Sequence, residues 1–183
     1  ASVKEFNASI PWRSLTASML LLDSHDTARI RTVLLGDKKA HLSAMTMMLT
    51  YPGVPSIFAG DEIGLEGAWG EDARRTIDWD APEKWNHSLL EGFKTLIAIR
   101  RTHDALSDGG LRWIHVSDDS IAYLRESKRE TILVYISRTG TSSTIDLSPY
   151  GYKVSKTLYG QSQSGKIVKV KSKTATAGIW VLK

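Results

Sequence analysis

Apolar residues follow two rhythms along this chain, and the rhythm changes near Gly109-Gly110. In the first part, buried-strand and helical patterns alternate. Leu20-Leu21-Leu22 is an apolar run that stops abruptly at Asp23-Ser24-His25-Asp26-Thr27, and it predicts a strand over 19–23. Asp37 caps a predicted helix that runs to about Thr50, with Leu42, Met45, Leu49 and Ala44, Met48 recurring at i, i+3, i+4 spacing. Met45, Met47 and Met48 read as core filling. Tyr51-Pro52-Gly53 ends that helix, and Ser56 to Ala59 predicts a second short buried strand, which stops at Gly60-Asp61-Glu62. A long loop from Gly60 to Asn86 carries Trp69, Trp79 and Trp85, and loops of that length are uncommon unless they work. His87 or Ser88 then opens the strongest helix, through about Leu106, with Leu89, Phe93, Leu96 and Arg100 on its inner face.

After Gly110 the text turns to short β runs. Strands are predicted at about 111–117, 120–126, 130–137, 143–147, 152–159, 165–170 and 176–182, with turns at Asp118-Asp119, Lys128-Arg129, Thr139-Gly140 and Ser164-Gly165. That spacing predicts a small antiparallel sandwich. The fold class is therefore α/β followed by all-β, divided into 1–109 and 110–183, with Gly109-Gly110 as the joining turn. Two apolar strands that both end in acids place chemistry at the carboxyl ends of parallel strands. Two such strands cannot close a barrel by themselves, so 1–109 is expected to be part of something larger.

Composition narrows the chemistry. The 183 residues contain no cysteine, which excludes disulfides, thiolate nucleophiles and zinc–thiolate sites. No apolar stretch is long enough to span a membrane, and the first seven residues lack the basic-then-apolar build of a leader, so a cytoplasmic location is expected. Net charge is +4, but residues 1–110 hold 12 Lys+Arg against 15 Asp+Glu, while residues 111–183 hold 12 against 5. Such a basic half raises the question of nucleic acid. The lysines at 166, 169, 171 and 173 alternate with apolar or small residues, however, as on the wet face of a strand, so no nucleic-acid partner is expected. His41, His87, His103 and His115 are scattered without metal-ligand spacing, so no metal is expected in this chain.

Three ordered motifs carry a resemblance. Leu22-Asp23-Ser24-His25-Asp26, then Gly53-Val54-Pro55 with Gly60-Asp61-Glu62, then Arg75-Thr76-Ile77-Asp78-Trp79-Asp80 resemble segments of the α-amylase superfamily, glycoside hydrolase family 13. The text is most similar to its bacterial α-glucosidase, neopullulanase and cyclomaltodextrinase members. The resemblance implies that 1–109 holds the last two βα units (strands 7 and 8) of a (β/α)₈ TIM barrel, and that 110–183 is the C-terminal antiparallel β-sandwich called domain C. It implies that Asp26 is the transition-state-stabilising carboxylate and His25 a substrate-binding imidazole. Arg29 and Arg75 match positions at or near the substrate cleft, and Gly60 and Glu62 match a mainly structural end of the eighth strand. Thr76 and Ile77 depart from the Pro and Met that many relatives have there.

Retaining glycosidases need a nucleophile and a general acid/base flanking the scissile bond. In this family both carboxylates precede the seventh strand, and no carboxylate of this chain matches their motifs. The resemblance therefore implies the C-terminal third of an enzyme on α-glucosidic bonds of maltooligosaccharides or related α-glucans, inactive alone. No cofactor is implied in this chain, and calcium in the parent enzyme stays open. The implied partners are the α-glucan substrate and either the complementary N-terminal part of the barrel or a second copy, with no membrane partner. An alternative class is a non-catalytic carbohydrate-binding or scaffold module built on the sandwich.

Overall fold

The computed structural model describes residues 3–183. Ala1 and Ser2, the first residues of the segment read as a barrel part, lie outside the described residues. Helices α1 (Val3–Ala8) and α2 (Trp12–Ala17) lead into strand β1 (Met19–Leu20). A turn follows, then α3 (Ile30–Val33), α4 (Lys38–Thr50) and strand β2 (Val54–Pro55). The Asp37 side chain caps α4 by accepting from the backbone N–H groups of Lys39 and Ala40, as its position predicted. Strands β1 and β2 run parallel, Met19 opposite Val54 and Leu20 opposite Pro55, with α4 in the connection between them.

Both strands are shorter than their apolar runs. The predicted strand over 19–23 ends at Leu20, and the one predicted over 56–59 lies earlier, at Val54–Pro55. A strand is a ladder, so its length depends on neighbours as well as on residues. The Leu20 carbonyl still accepts from Ser56 N–H at 2.7 Å, but beyond it neither run has another strand beside it among the described residues. Met19, Leu21 and Val54 consequently stand exposed.

The segment 60–86 is less irregular than predicted. It contains a 3₁₀ turn at Asp61–Ile63, helix α5 (Gly70–Ala73) and a second 3₁₀ turn at Pro82–Lys84. Helix α6 (His87–Thr102) starts where predicted, but the helix expected to reach Leu106 breaks at His103, and α7 (Asp104–Ser107) restarts it. The break has a distant cause: Glu130 takes the His103 Nδ1 at 2.7 Å and the Ala105 N–H at 3.2 Å.

The β part comprises β3 (Gly110–Val116), β4 (Ser120–Glu126), β5 (Thr131–Ser137), β6 (Thr141–Asp146), β7 (Val154–Tyr159), β8 (Ile167–Ser172) and β9 (Thr176–Leu182). A five-stranded sheet in the order β3-β4-β5-β9-β7 faces a two-stranded sheet of β6 and β8, and the pairs within both are antiparallel. Strands β6 and β8 lie about two residues from their predicted spans. Residues 141–146 carry mostly hydroxyls, among them Thr141 and Ser143, which both bond the Tyr135 hydroxyl at 2.8 Å. Polar positions of this kind blur the period-two pattern.

The molecule is thus three layers deep. One apolar cluster joins Met45, Leu49, Phe93, Leu96 and Leu106 of the helices to Tyr123, Val134 and Ile179 on one face of the large sheet. A second cluster, centred on Trp180, Tyr135, Leu124 and Val168, fills the space between the sheets. Two arginines fasten helices to sheet and strand. Arg125, fully buried on β4, donates to the carbonyls of Thr50, Leu106 and Gly109, at 3.0 Å and 2.8 Å for the last two. Arg100 of α6 donates to Leu49 O and Gly53 O, both at 2.7 Å, and so completes the C-terminal end of α4. Burial lowers the Arg125 pKa to about 10, which leaves it charged at neutral pH. Replacing Arg125 with Met strands several buried carbonyls. The expected loss is about 3 kcal/mol of unfolding free energy, read from urea denaturation midpoints at an unchanged m-value.

Candidate functional site

The turn after β1 is built to present two side chains. Ser24 N–H donates to Thr27 Oγ1 at 3.1 Å, Thr27 N–H returns to Ser24 O at 3.2 Å, and Asp26 N–H donates to Ser24 Oγ at 3.2 Å. His25 and Asp26 project from it, their side chains 64 % and 67 % exposed, with His25 Nε2 3.3 Å from Asp26 Oδ1. They stand beside a cleft of about 510 Å³ whose walls include His25, Phe58, Arg74, Arg75 and Trp79.

Sequence reasoning passed over Arg74. Its Nε donates to His25 O at 3.1 Å and its Nη2 lies 3.4 Å from Asp26 Oδ1, so one guanidinium holds both the backbone and the carboxylate of the turn. Arg75, the predicted member of this doublet, also lines the cleft. Its Nε and Nη2 are bound in a two-pronged contact to Asp72, each at 2.8 Å. The Ala68 N–H and then Arg75 hold the Asp72 carboxyl below the usual carboxylate range. Nothing in the sequence ranks Arg74 above Arg75, since both follow α5 on one exposed turn.

Arg29 occupies the cleft's wall from within. It is 1 % exposed, and its Nε donates to Ala73 O at 2.9 Å, its Nη1 to Asp61 Oδ1 at 2.9 Å and its Nη2 to Ala59 O at 3.0 Å. The guanidinium carbon lies 4.0 Å from the centre of the Phe58 ring. Its donors are thus committed to protein acceptors on both sides of the loop, which makes it the bracket that holds Ala59 and Ala73 together. Asp61, its acidic partner, ends the second apolar run, but sequence reasoning assigned it no role of its own. The signal was present in the abrupt change from Phe58-Ala59 to an acid.

Gly60 and Glu62 shape the same turn. Glu62 Oε2 accepts from the Gly60 N–H at 2.8 Å, so it serves the backbone. Gly60 has φ of 105°, and a Cβ there would lie 2.5 Å from Leu65 Cδ1 and 3.2 Å from Arg29 Nη1. Trp79 is 70 % exposed at the cleft and stands edge-on to Trp85 at 5.6 Å, while Trp85 Nε1 donates to Asp78 O. Trp79 therefore lines the cleft with Trp85 packed against it. The scattered histidines have local roles: His87 bonds Pro82 O, His103 bonds Glu130 and His115 bonds Ser120. No cluster of three or more His, Asp or Glu suited to a metal occurs among the described residues.

Residues 3–87 match the alpha amylase catalytic-domain family. A cyclomaltodextrinase of Bacillus sp is 36% identical over 140 residues, covering 75% of this chain and 25% of that enzyme. The intracellular maltogenic amylase of Bacillus subtilis is 36% identical over 123 residues, covering 66% of this chain and 21% of that enzyme. Among solved structures, the native debranching enzyme of Nostoc punctiforme superposes with a TM-score of 0.85 at 26% identity, covering 97% of this chain and 38% of that one. The chain spans about a quarter of the length of the curated relatives it matches.

Gly60→Ala is expected to destabilise the chain by about 1–3 kcal/mol, because a left-handed backbone and a close side-chain approach coincide there. The test is a comparison of urea midpoints with Gly151→Ala. Gly151 also has positive φ, at 76°, but a Cβ there meets nothing within 4 Å, so it isolates the backbone term.

Proposed function

From the match of residues 3–87 to the alpha amylase catalytic-domain family, we propose that this chain supplies part of the active site of a retaining hydrolase acting on α-glucosidic bonds. In this reading Asp26 and His25 bind the hydroxyls of the sugar being cleaved. Arg74 aims the Asp26 carboxylate, Arg75 lines the cleft near the substrate, and Trp79 stacks on a neighbouring ring. The single observation that carries the reading is the exposed His25–Asp26–Arg74 group, set at the carboxyl end of a parallel strand beside an open cleft.

The chemistry follows from the transition state. Cleavage passes through an oxocarbenium-like sugar, and bonds to its ring hydroxyls strengthen as it distorts. A fixed carboxylate and imidazole at that point stabilise the distorted sugar more than the resting one, by a few kcal/mol on the scale of oxyanion-hole donors. The nucleophile and the acid/base, in this reading, come from polypeptide outside these 183 residues, and no cofactor is held by this chain. Residues 1–109 then form the C-terminal part of the barrel and 110–183 its domain C. Several observations support a complementary partner: the two-stranded parallel sheet, the exposed Met19, Leu21 and Val54, and the quarter-length match to relatives. Maltooligosaccharides or cyclic dextrins are the proposed substrates, by analogy with the cyclomaltodextrinase. A cytoplasmic location fits the relative named intracellular and the absence of any helix long and apolar enough to cross a membrane among the described residues.

The 183-residue chain alone is expected to show no turnover of maltotriose or p-nitrophenyl glucoside. Supplying the upstream barrel segment of a relative in trans is expected to restore it. In that reconstituted enzyme Asp26→Asn should lower kcat by about 10²–10³-fold. Hydrolysis by the isolated chain, or full activity of the Asp26→Asn assembly, would refute the reading.

A further inference from the structure

The turn that presents His25 and Asp26 is tethered at both ends to one buried polar cluster. On one side Asp23, itself buried, accepts the Ile30 N–H on Oδ2 at 2.6 Å. On the other, Arg29 bonds Asp61 Oδ1 at 2.9 Å. Asp23 Oδ1 is buried with no hydrogen-bond partner among the described residues, and, after burial itself, Asp23 is the neighbouring group that most raises the Asp61 carboxyl. Two carboxyl groups are therefore buried here, and the guanidinium bonds only that of Asp61. If both were ionised the cluster would keep a net negative charge, whose desolvation the Arg29 guanidinium offsets only in part. A single proton removes that charge and supplies the donor that Asp23 Oδ1 lacks.

We propose that Asp23 and Asp61 hold one proton between them, and that this proton positions the His25–Asp26 turn against the Gly60 turn after the second strand. The proton sits on the Asp61 carboxyl, which donates to Asp23 Oδ1 while its Oδ1 accepts from Arg29. At alkaline pH it passes to solvent, leaving two buried carboxylates with only that of Asp61 bonded to the guanidinium, and the turn loosens. Asp61 is a positioning residue, acting through Arg29 and Asp23.

The charged groups facing this cluster are few. Arg31 of α3 is paired to Glu66 at 3.8 Å, and Glu62 is bonded to Gly60 N–H. His41 of α4 is fully buried, its ring nitrogens unpartnered among the described residues. Burial, then Arg31, lowers the His41 pKa to about 4, so it is neutral at neutral pH. Burial, then the neighbouring Asp23, raises the Asp61 pKa to about 8. The signs are opposite. A raised acid gives stability that is present in full below 3.8 and is lost as pH climbs to about 8. A depressed histidine gives stability that is lost as pH falls from 6.5 to about 4. Between 6.5 and about 8 the carboxyl pair acts without His41, and that window is diagnostic.

The test uses the whole chain. Melting temperature should fall as pH rises through that window and level off above it. In Asp61→Asn, where the amide donates to Asp23 and still accepts from Arg29, the fall should vanish, and Asp23→Asn should abolish it from the other side. In carbon-detected NMR the Asp61 carboxyl should titrate near 8, and the Asp26 amide should shift with the same midpoint in the parent and in neither variant. An Asp61 carboxyl fully ionised at neutral pH, or an alkaline fall that persists in both Asn variants, would overturn the shared proton. A titrating Asp61 with an unmoved Asp26 amide would overturn the positioning role. The role rests on the glycosidase reading only for what the turn is for. These measurements read the proton and the turn, so their failure is distinct from a failure to hydrolyse sugars.

Discussion

A guanidinium removed from water must find its acceptors in the protein, and Arg29 finds them on three separate stretches of chain. The Ala59 carbonyl, the Asp61 carboxyl and the Ala73 carbonyl meet at one point, and each satisfies a donor that would be costly to leave unmet out of water. Everything displayed at the cleft hangs from that point. Phe58 lies under the guanidinium, the Gly60 turn bends beside it, and α5 ends where Arg74 leaves for Asp26. The exposed chemistry is held by a buried bond network. This explains how a turn with side chains about two-thirds in solvent can keep a defined geometry.

The same logic operates a layer away. Arg125 satisfies carbonyls at the end of α4, at the end of α7 and at the joining turn, while Tyr123 beside it on the same strand bonds Thr50 at 2.6 Å. Burial pushes the Tyr123 hydroxyl well above its ordinary range, so it stays protonated. The change of rhythm at Gly109-Gly110 is a change of element type without a gap in packing, because one apolar cluster runs through helices and sheet alike.

What could be read from the sequence follows from how local its cause is. Strands β4 and β9 have the bounds that their apolar runs between turns predicted, and α4 begins at a cap written two and three residues from the donors it serves. The parallel pairing of the two acid-ended runs was legible in the same way. Features with distant causes were not. The break at His103 is imposed by Glu130, which lies 27 residues on. The burial of Arg29 depends on Asp61, 32 residues on. The short lengths of β1 and β2 reflect which strands stand beside them, a property that no residue in either run carries. The His25–Asp26 turn and the acid after Phe58-Ala59 could be picked out along the chain, whereas the bonds from Arg74 to that turn exist only once the loop is folded.

The shared core bears on how such a protein could be recombined. A β-sandwich joined by a glycine pair looks exchangeable, as though another could be grafted at that seam. Here the seam is crossed by a guanidinium, a phenol and a continuous oily layer. A transplanted sandwich would have to bring its own equivalents of Arg125 and Tyr123 in register with the helix ends. Chimeras that keep α4, α6 and the large sheet from one parent would preserve that register, and the more permissive crossover points lie in the turns of the two-stranded sheet.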